Sequence, residues 1–331
     1  MSLHEFEVIA RYFSQTFPHR ADVIFGVGDD AALCVAPSEM QLAIAIDTLV
    51  AGIHFPPETD PKDIGYKALA VNLSDIAAMG ATPAWMTLAL TCPADTTENW
   101  LAHFSYGLRE LAECYQVSLI GGDTTTGPLT ITIQITGFVP AQLALHRQGA
   151  QPGDGIYVTG TLGDAGLGLA SIQQQLRLPV LARHQVESRL NRPTPRLREG
   201  QALRGIASSA IDISDGLVAD LGHILAASQV GASIYLEQLP LANALREHLS
   251  LEAAWQLALG AGDDYELCFT VPQHQETALS KALVTGSYTR IGTIETLPGL
   301  RCVNASGQPF IPKSKGYQHC FSLNPDDIDN G

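Results

Sequence analysis

The chain contains no run of apolar residues near the roughly 18 needed to span a bilayer, no C-x-x-C pair and no G-x-x-x-x-G-K-[ST]. The first absence excludes a transmembrane helix, the second leaves zinc and dithiol chemistry unsupported, and the third excludes a P-loop. The six cysteines (34, 92, 114, 268, 302 and 320) are scattered, several of them within apolar runs. They read as buried thiols without disulfides, as expected of a reducing cytoplasm. The start, "MSLHEFEVIARYF", lacks the basic and apolar regions of a secretory signal; its Phe6, Ile9, Ala10 and Phe13 are spaced for a helix. Basic residues are also scarce: 19 Lys and Arg stand against 34 Asp and Glu, a formal charge of −15. That balance argues against nucleic-acid binding, which needs a basic footprint.

What remains is an ordinary folded composition, 46% hydrophobic and 16% charged, in 331 residues, enough for two domains. From residue 41 the pattern runs strand, loop, long helix, strand, helix, strand. "QLAIAIDTLV" is an apolar strand ending in Asp47. Asp60 and Pro61 open a helix that Gly80 closes. "PAWMTLALTC", "SLIGG" (ending at Asp123) and "LTITIQITGFV" are further strands, with a helix from Glu98 between the first two. The Gly- and Pro-bearing "LHRQGAQPGD" marks a connection near residue 150. Beyond it, "GIYVTG", "SAID", "IYLEQLP", "YELCFTVP" and "YTRIGTIE" are strands interleaved with helices. An α/β or α+β architecture in two domains is expected, residues 1–140 and 150–331.

Carboxylates recur where strands end: Asp29 and Asp30, Asp47, Asp123, Asp212 and Asp215. Open α/β sheets bind ligands there. Asp75 falls inside an apolar helix, where it needs either a solvated face or a partner such as a metal. The grammar Gly-x-Gly-Asp-Asp occurs twice, in "GVGDDAALC" (26–34) and "GAGDDYELC" (260–268). Each copy is either a tight turn with aspartates facing water or a place where a cation sits between carboxylates. Hard oxygen ligands without His or Cys clusters suit Mg²⁺. If the ligand is a phosphate compound, metal ions are the obvious means of neutralising it in so acidic a chain. The glycine-rich "GTLGDAGLG" lacks dinucleotide-binding spacing and reads mainly as a close turn, with phosphate contact the lesser alternative.

Six segments together carry a more specific signal: "GVGDDAAL", "IDTLVAGIHF", "YKALAVNLSDIAAMGATPAWMTLAL", "LIGGDTT", "IDISDGLVADLGHI" and "GDDYELCFTV". In this order, over nearly the whole chain, they resemble the motifs of bacterial thiamine-monophosphate kinases. Their broader relatives are the synthetases of aminoimidazole ribonucleotide and selenophosphate and a hydrogenase-maturation protein. The resemblance implies an N-terminal mixed sheet with helices that pairs across a homodimer, ATP bound near that interface, and a C-terminal α/β domain on the substrate side. It implies several Mg²⁺ ions held by Asp30, Asp47, Asp75, Asp123, Asp212 and Asp215, with a backbone carbonyl at Ile46. Gly122, Asp123, Arg147 and Ser214 match nucleotide contacts, and Tyr106 flanks the base; Arg147 also suits a phosphate by its chemistry. His54 and Asp263 match acceptor-side positions.

Three departures stand out. Ala45 and Ile46 replace hydroxyl residues common before "DTLV", Asp263 replaces a glutamate, and Ser314 stands where a tryptophan commonly precedes "KGY". The implied reaction is phosphoryl transfer from ATP to thiamine monophosphate, giving thiamine diphosphate. Its acceptor oxygen is already ionised, so no side-chain base is needed, and none is assigned. The first Gly-Asp-Asp then serves as a metal platform, and the second lines the acceptor pocket. Two other readings are an ATP-dependent synthetase of the same superfamily and an acidic metal-binding module without enzyme activity.

Overall fold

The computed structural model describes residues 5–14 and 16–319; Cys320 lies outside them. The N-terminal half begins with a short helix α1 (Glu5–Val8) that runs into a π-turn over Ile9–Phe13. A helix with one wide turn changes phase. The buried face is therefore Val8, Tyr12 and Phe13, while Phe6 points outward.

A small hairpin follows, β1 (Val23–Phe25) with β2 (Leu33–Cys34). Next comes a four-stranded mixed sheet built from β3 (Met40–Val50), β4 (Thr82–Cys92), β5 (Ser118–Thr126) and β6 (Thr130–Pro140), in the order β3-β6-β4-β5. Only β4 and β5 run parallel. Two helices cover the inner face, α2 (Pro61–Ala78) and α3 (Glu98–Tyr115). The Asp60 carboxylate caps α2 through the Lys62 N–H, with Pro61 in the first turn. Where the two helices cross, backbones nearly touch. A Cβ on Gly65 would lie 2.1 Å from the Phe104 carbonyl oxygen, and one on Gly107 would lie 1.8 Å from that of Lys62.

Strand alternation assigns the faces. Ala43, Asp47 and Leu49 share the inner face, where Ala43 and Leu49 are buried. Leu42, Ile44 and Ile46 share the outer one, and Ile44 and Ile46 are each 63% exposed. Register places Gln134 opposite Ile46, Thr87 opposite Gln134, and Asp123 beside Ala89, all on that outer face. The hairpin packs on one end of it, around Trp85 and Phe138. The rest carries no helix among the described residues.

The C-terminal half is a seven-stranded sheet: β7 (Gly155–Thr159), β8 (Ser209–Asp212), β9 (Gly231–Tyr235), β10 (Leu267–Val271), β11 (Tyr288–Glu295), β12 (Gly299–Val303) and β13 (Pro309–Phe310). Their order is β13-β12-β9-β11-β7-β10-β8. The helices are α4 (Asp164–Ile172), α5 (Val180–Asn191), α6 (Leu197–Ala202), α7 (Leu217–Ser228), α8 (Asn243–His248), α9 (Leu251–Gly260) and α10 (Glu276–Ala282). The expected strand "IYLEQLP" ends early, because Leu236–Gln238 form a 3₁₀ turn.

Both faces of this sheet are apolar. Ile156, Val158, Ile211 and Cys268 pack with α4, α7 and α9. Tyr157, Ala210, Leu267 and Phe269 instead join the core of the N-terminal half. The two domains therefore share a core, and α2 lies within it. Ile64, Leu69, Leu73 and Ile76 are buried in α2, but so are Lys67, Asn72 and Ser74. No helix among the described residues is long and apolar enough to cross a membrane.

Candidate active site

Burying α2 between two domains brings its polar residues against the carboxylate-bearing ends of β3 and β8. The Ser74 hydroxyl donates to Asp212 Oδ2 at 2.8 Å, a bond that joins the two domains. Asp47 and Asp75 converge on the same place. Burial, and then the charges of Asp212 and Asp215, push the Asp47 carboxyl up to about 6. Burial, Asp212 and Asp47 push Asp75 up to about 8, opposed by Arg147. Asp212 is also raised, by burial, with the Ser74 hydroxyl opposing. These groups repel one another in a half-dry setting, and each raised value reports that a cation would be welcome there.

The turn after β8 adds Asp215 and ends in Gly216, whose φ of +117° only glycine readily adopts. The turn is held from below. Asp220, in the first turn of α7, accepts the N–H groups of both Asp215 and Gly216 at 3.0 Å. It is also laced to the second Gly-Asp-Asp segment. The Asp263 N–H donates to the Ser214 carbonyl at 2.8 Å, and the Tyr265 N–H to that of Ile213 at 2.8 Å. Asp263 and Tyr265 both take positive φ, +68° and +49°. This is strained backbone for residues with a Cβ, held by those flanking bonds.

Consecutive side chains of this segment go to different places. Asp263 faces Lys67 of α2, with Nζ 3.1 Å from Oδ1. Asp264 turns away and accepts the N–H groups of Gly163 and Ala165, at 2.7 and 3.3 Å. Tyr265 is buried, and burial, followed by the charge of Asp263, keeps its phenol far above the usual range. Glu266 is wholly buried and binds Arg189, Arg196 and Thr159. The bond pattern of Asp264 agrees with the main reading of "GTLGDAGLG" as a close turn. The Gly163 and Ala165 amides at the start of α4 are already occupied by a carboxylate, which leaves the lesser alternative, a phosphate contact, without support.

In the loop after β3, the Val50 N–H donates to His54 Nδ1 at 3.0 Å. A nitrogen that accepts a bond carries no proton, so the neutral ring bears its hydrogen on Nε2. Burial and the neighbouring His319 lower the His54 pKa, which favours that neutral form. The segment 311–319 crosses the site as a strap. The Lys313 N–H is bound by Gln256, the Tyr317 N–H donates to the Asp215 carbonyl at 3.0 Å, and the His319 ring lies 5.3 Å from that of His54.

The structure thus brings together Asp47, Asp75, Asp212, Asp215, Arg147, Ser214, His54 and Asp263. The other expected residues lie elsewhere on the monomer. Asp30 is on an exposed turn, its own N–H bound by Asp29. Asp123 and the Ile46 side chain are on the open outer face. Gly122 packs tightly on β4, where a Cβ would lie 2.0 Å from the Leu88 oxygen. Tyr106 is half exposed on α3, between Lys62 and Arg109. Ser314 rests against Gly260, and its hydroxyl accepts the Gly316 N–H. The ring beside His54 is that of His319, with Tyr317 stacked edge-on against His319 at 5.0 Å.

Among the described residues no three His, Cys, Asp or Glu side chains close on one point as a preformed metal cage would. The donor set is nonetheless all hard oxygen, and the mutual repulsion within it fits divalent cations shared with a phosphate ligand. Sequence reasoning missed Lys67, Ser74, Asp220 and Tyr265. For Asp220 a signal was present, since an aspartate in the first turn of an apolar helix suits the free amides and positive end of the dipole there.

Residues 28–139 match the family model for the AIR synthase related protein N-terminal domain, and residues 151–303 match the corresponding C-terminal domain. The two-domain α/β fold is therefore of the AIR synthase related class. Within that class, the chain is 52% identical to the thiamine-monophosphate kinase of Escherichia coli K12 over 324 residues, covering 96% of this chain and 99% of that one. It is 34% identical to that of Bacillus subtilis, over 96% and 99%. The crystal structure of thiamine-monophosphate kinase from Stenotrophomonas maltophilia superposes with a TM-score of 0.81 at 45% identity, covering 90% of this chain and 94% of that one. AaThiL complexed with AMPPCP and TMP gives 0.76 at 30% identity, over 88% and 91%. The chain belongs to the thiamine-monophosphate kinase family.

Proposed function

We propose that this protein uses ATP to phosphorylate thiamine monophosphate, forming thiamine diphosphate and ADP. The carrying observation is near-full-length likeness at 52% identity to a thiamine-monophosphate kinase, with the carboxylate cluster of that resemblance assembled between the two domains. A relative of the same fold was crystallised with AMPPCP and TMP. In the reaction a terminal oxygen of the acceptor phosphate forms the new P–O bond, while the bond between the γ-phosphorus and the β,γ-bridging oxygen breaks. Both partners are polyanions, so the task is orientation and charge suppression rather than proton removal. Asp47, Asp75, Asp212 and Asp215 would hold Mg²⁺, which when bound shields the phosphates and aligns donor with acceptor, while Asp30 and Asp123 of the same chain lie outside that cluster. Arg147 contributes the fixed positive charge, and Ser214 lies on the nucleotide side. His54, through Nε2–H, and Asp263 line the acceptor pocket. Five cysteines in the described residues are free, in keeping with a cytoplasmic enzyme. An ADP-release assay with thiamine monophosphate as the sole acceptor tests the reading. Release only with a ribonucleotide amide substrate, or no turnover at all, would replace it by a synthetase or a non-enzymatic module.

We further propose that the enzyme is a homodimer through the open face of the four-stranded sheet. The support is the apolar stripe Leu42, Ile44 and Ile46 on an edge strand, which a lone chain would leave wet. Asp123 shares that face, and Asp30 is left outside the cluster of its own chain. Light scattering should give twice the mass of one chain, and Ile44→Glu should halve it. A wild-type monomer at micromolar concentration would overturn the proposal.

The strap supplies the acceptor's ring contact through Tyr317 rather than Ser314. Tyr317→Ala should raise KM for thiamine monophosphate about threefold to tenfold, the worth of one ring contact. KM for ATP should hold. An unchanged acceptor KM would remove Tyr317 from the pocket.

A further inference from the structure

Lys67 is only 2% exposed, and a lysine so deeply buried needs a reason. Its ammonium leaves the face of α2 with two recorded contacts, the Asp263 carboxylate at 3.1 Å and the His54 carbonyl at 3.3 Å. Those are the two residues that the proposed function places around the acceptor, and they come from different domains. Asp263 sits at a positive φ, on a loop with no helix or strand of its own to fix it. His54 lies in the loop between β3 and α2, its ring oriented by the Val50 N–H. Without the Lys67 ammonium, the Asp263 carboxylate would be left near Asp215, whose pKa is raised first by burial and in smaller part by the charge of Asp263.

We infer that Lys67 is the positioning residue of the acceptor pocket: one buried ammonium grips both walls, fixing Asp263 as an oriented anion opposite the His54 imidazole. Only one Asp263 oxygen is engaged by Lys67, and the side chain remains 30% exposed. The carboxylate is thus held yet still able to meet a cationic ring or an exocyclic amine of the acceptor. A free carboxylate on a strained loop would sample several orientations. A clamped one is set before the acceptor arrives, and pre-set geometry is what lowers the cost of binding.

The inference rests on Asp263 and His54 lining the acceptor pocket, and the test separates the two. Steady-state KM for thiamine monophosphate, KM for ATP and kcat would be measured for Lys67→Met, Lys67→Arg, Asp263→Asn and the double variant Lys67→Met/Asp263→Asn. Lys67→Met should raise the acceptor KM about tenfold with kcat and the ATP KM little changed, as loss of ground-state positioning requires. Lys67→Arg should recover part of that loss by keeping the ion pair. The double variant should be no worse than Asp263→Asn alone, because Lys67 acts through Asp263; it also removes the buried charge pair as a unit, so it reports even where Lys67→Met folds poorly. Equal losses in both KM values and kcat, or additive losses in the double variant, would overturn the inference in favour of a merely structural lysine. An Asp263→Asn enzyme with an unchanged acceptor KM would instead overturn the pocket itself.

Discussion

Asp47→Asn and Asp75→Asn should each cut kcat by about a hundredfold or more, the range found when a group that stabilises developing charge is removed. Both carboxylates lie where burial and neighbouring charge make an extra negative group unwelcome, with Asp47 raised to about 6 and Asp75 to about 8. A residue retained at such a position for stability alone would be a poor choice, since its neighbours push against it. The substitutions therefore pull activity and stability in opposite directions. Thermal unfolding at neutral pH in the absence of divalent cation should be unchanged or raised in both variants. Asp47→Asn deletes a like charge from a half-dry cluster, whereas Asp75, raised to about 8, is already largely protonated there and its amide replaces a neutral acid. Activity should recover only in part at high Mg²⁺. Full turnover by either variant at ordinary Mg²⁺ would sink the assignment of these aspartates to the ions.

The largest effect on stability is expected at Glu266. It is fully buried, accepts from Arg189 Nη2 at 2.7 Å, from Arg196 Nε and Nη2 at 2.6 and 2.5 Å, and from the Thr159 hydroxyl at 2.6 Å. Two arginines converge on one carboxylate, and removing it leaves both without their main partner. Losing one side of a buried pair costs about 3–5 kcal/mol, and the partial exposure of the arginines places the result near the lower bound. Urea unfolding of Glu266→Ala should show a clearly lower midpoint, with Glu266→Gln between it and the wild type. Because Glu266 anchors the segment that carries Asp263, the acceptor KM should rise alongside. An unmoved midpoint would mean that the arginines find other partners.

How much of this was legible in the residues depended on whether the signal was local. Asp60, Pro61 and Gly80 marked both ends of α2 because caps are read from neighbours in sequence. β11 coincides with "YTRIGTIE", a β-branched run with turns on both sides. Short helices such as α8 and α10 went unread, being too brief to show a period. The inner and outer faces of β3 followed from alternation once its pairing was known, but the pairing itself is a long-range fact.

The sequence by itself determined which chemistry was available: hard carboxylate oxygens, few cations, no thiol or P-loop machinery, and a family pattern that fixed the reaction. The expectation that these carboxylates end strands failed at Asp47 and Asp123, because β3 and β5 pair on to Val50 and Thr126. Tertiary structure decided which carboxylates meet. Asp47, Asp75, Asp212 and Asp215 gather because α2 is buried on all sides between two sheets, and an all-round buried helix shows no amphipathic period to betray its polar face. The same burial chose Lys67 and Ser74, which in sequence are two polar letters inside an apolar helix. Asp30 and Asp123 stay apart from that cluster within one chain, since one lies on an exposed turn and the other on the far side of the sheet. In "GDDYE" Asp263, Asp264 and Glu266 bind three different neighbours while Tyr265 enters the core, because the strained loop before β10 turns each one a different way, and only the packing of both domains fixes those directions.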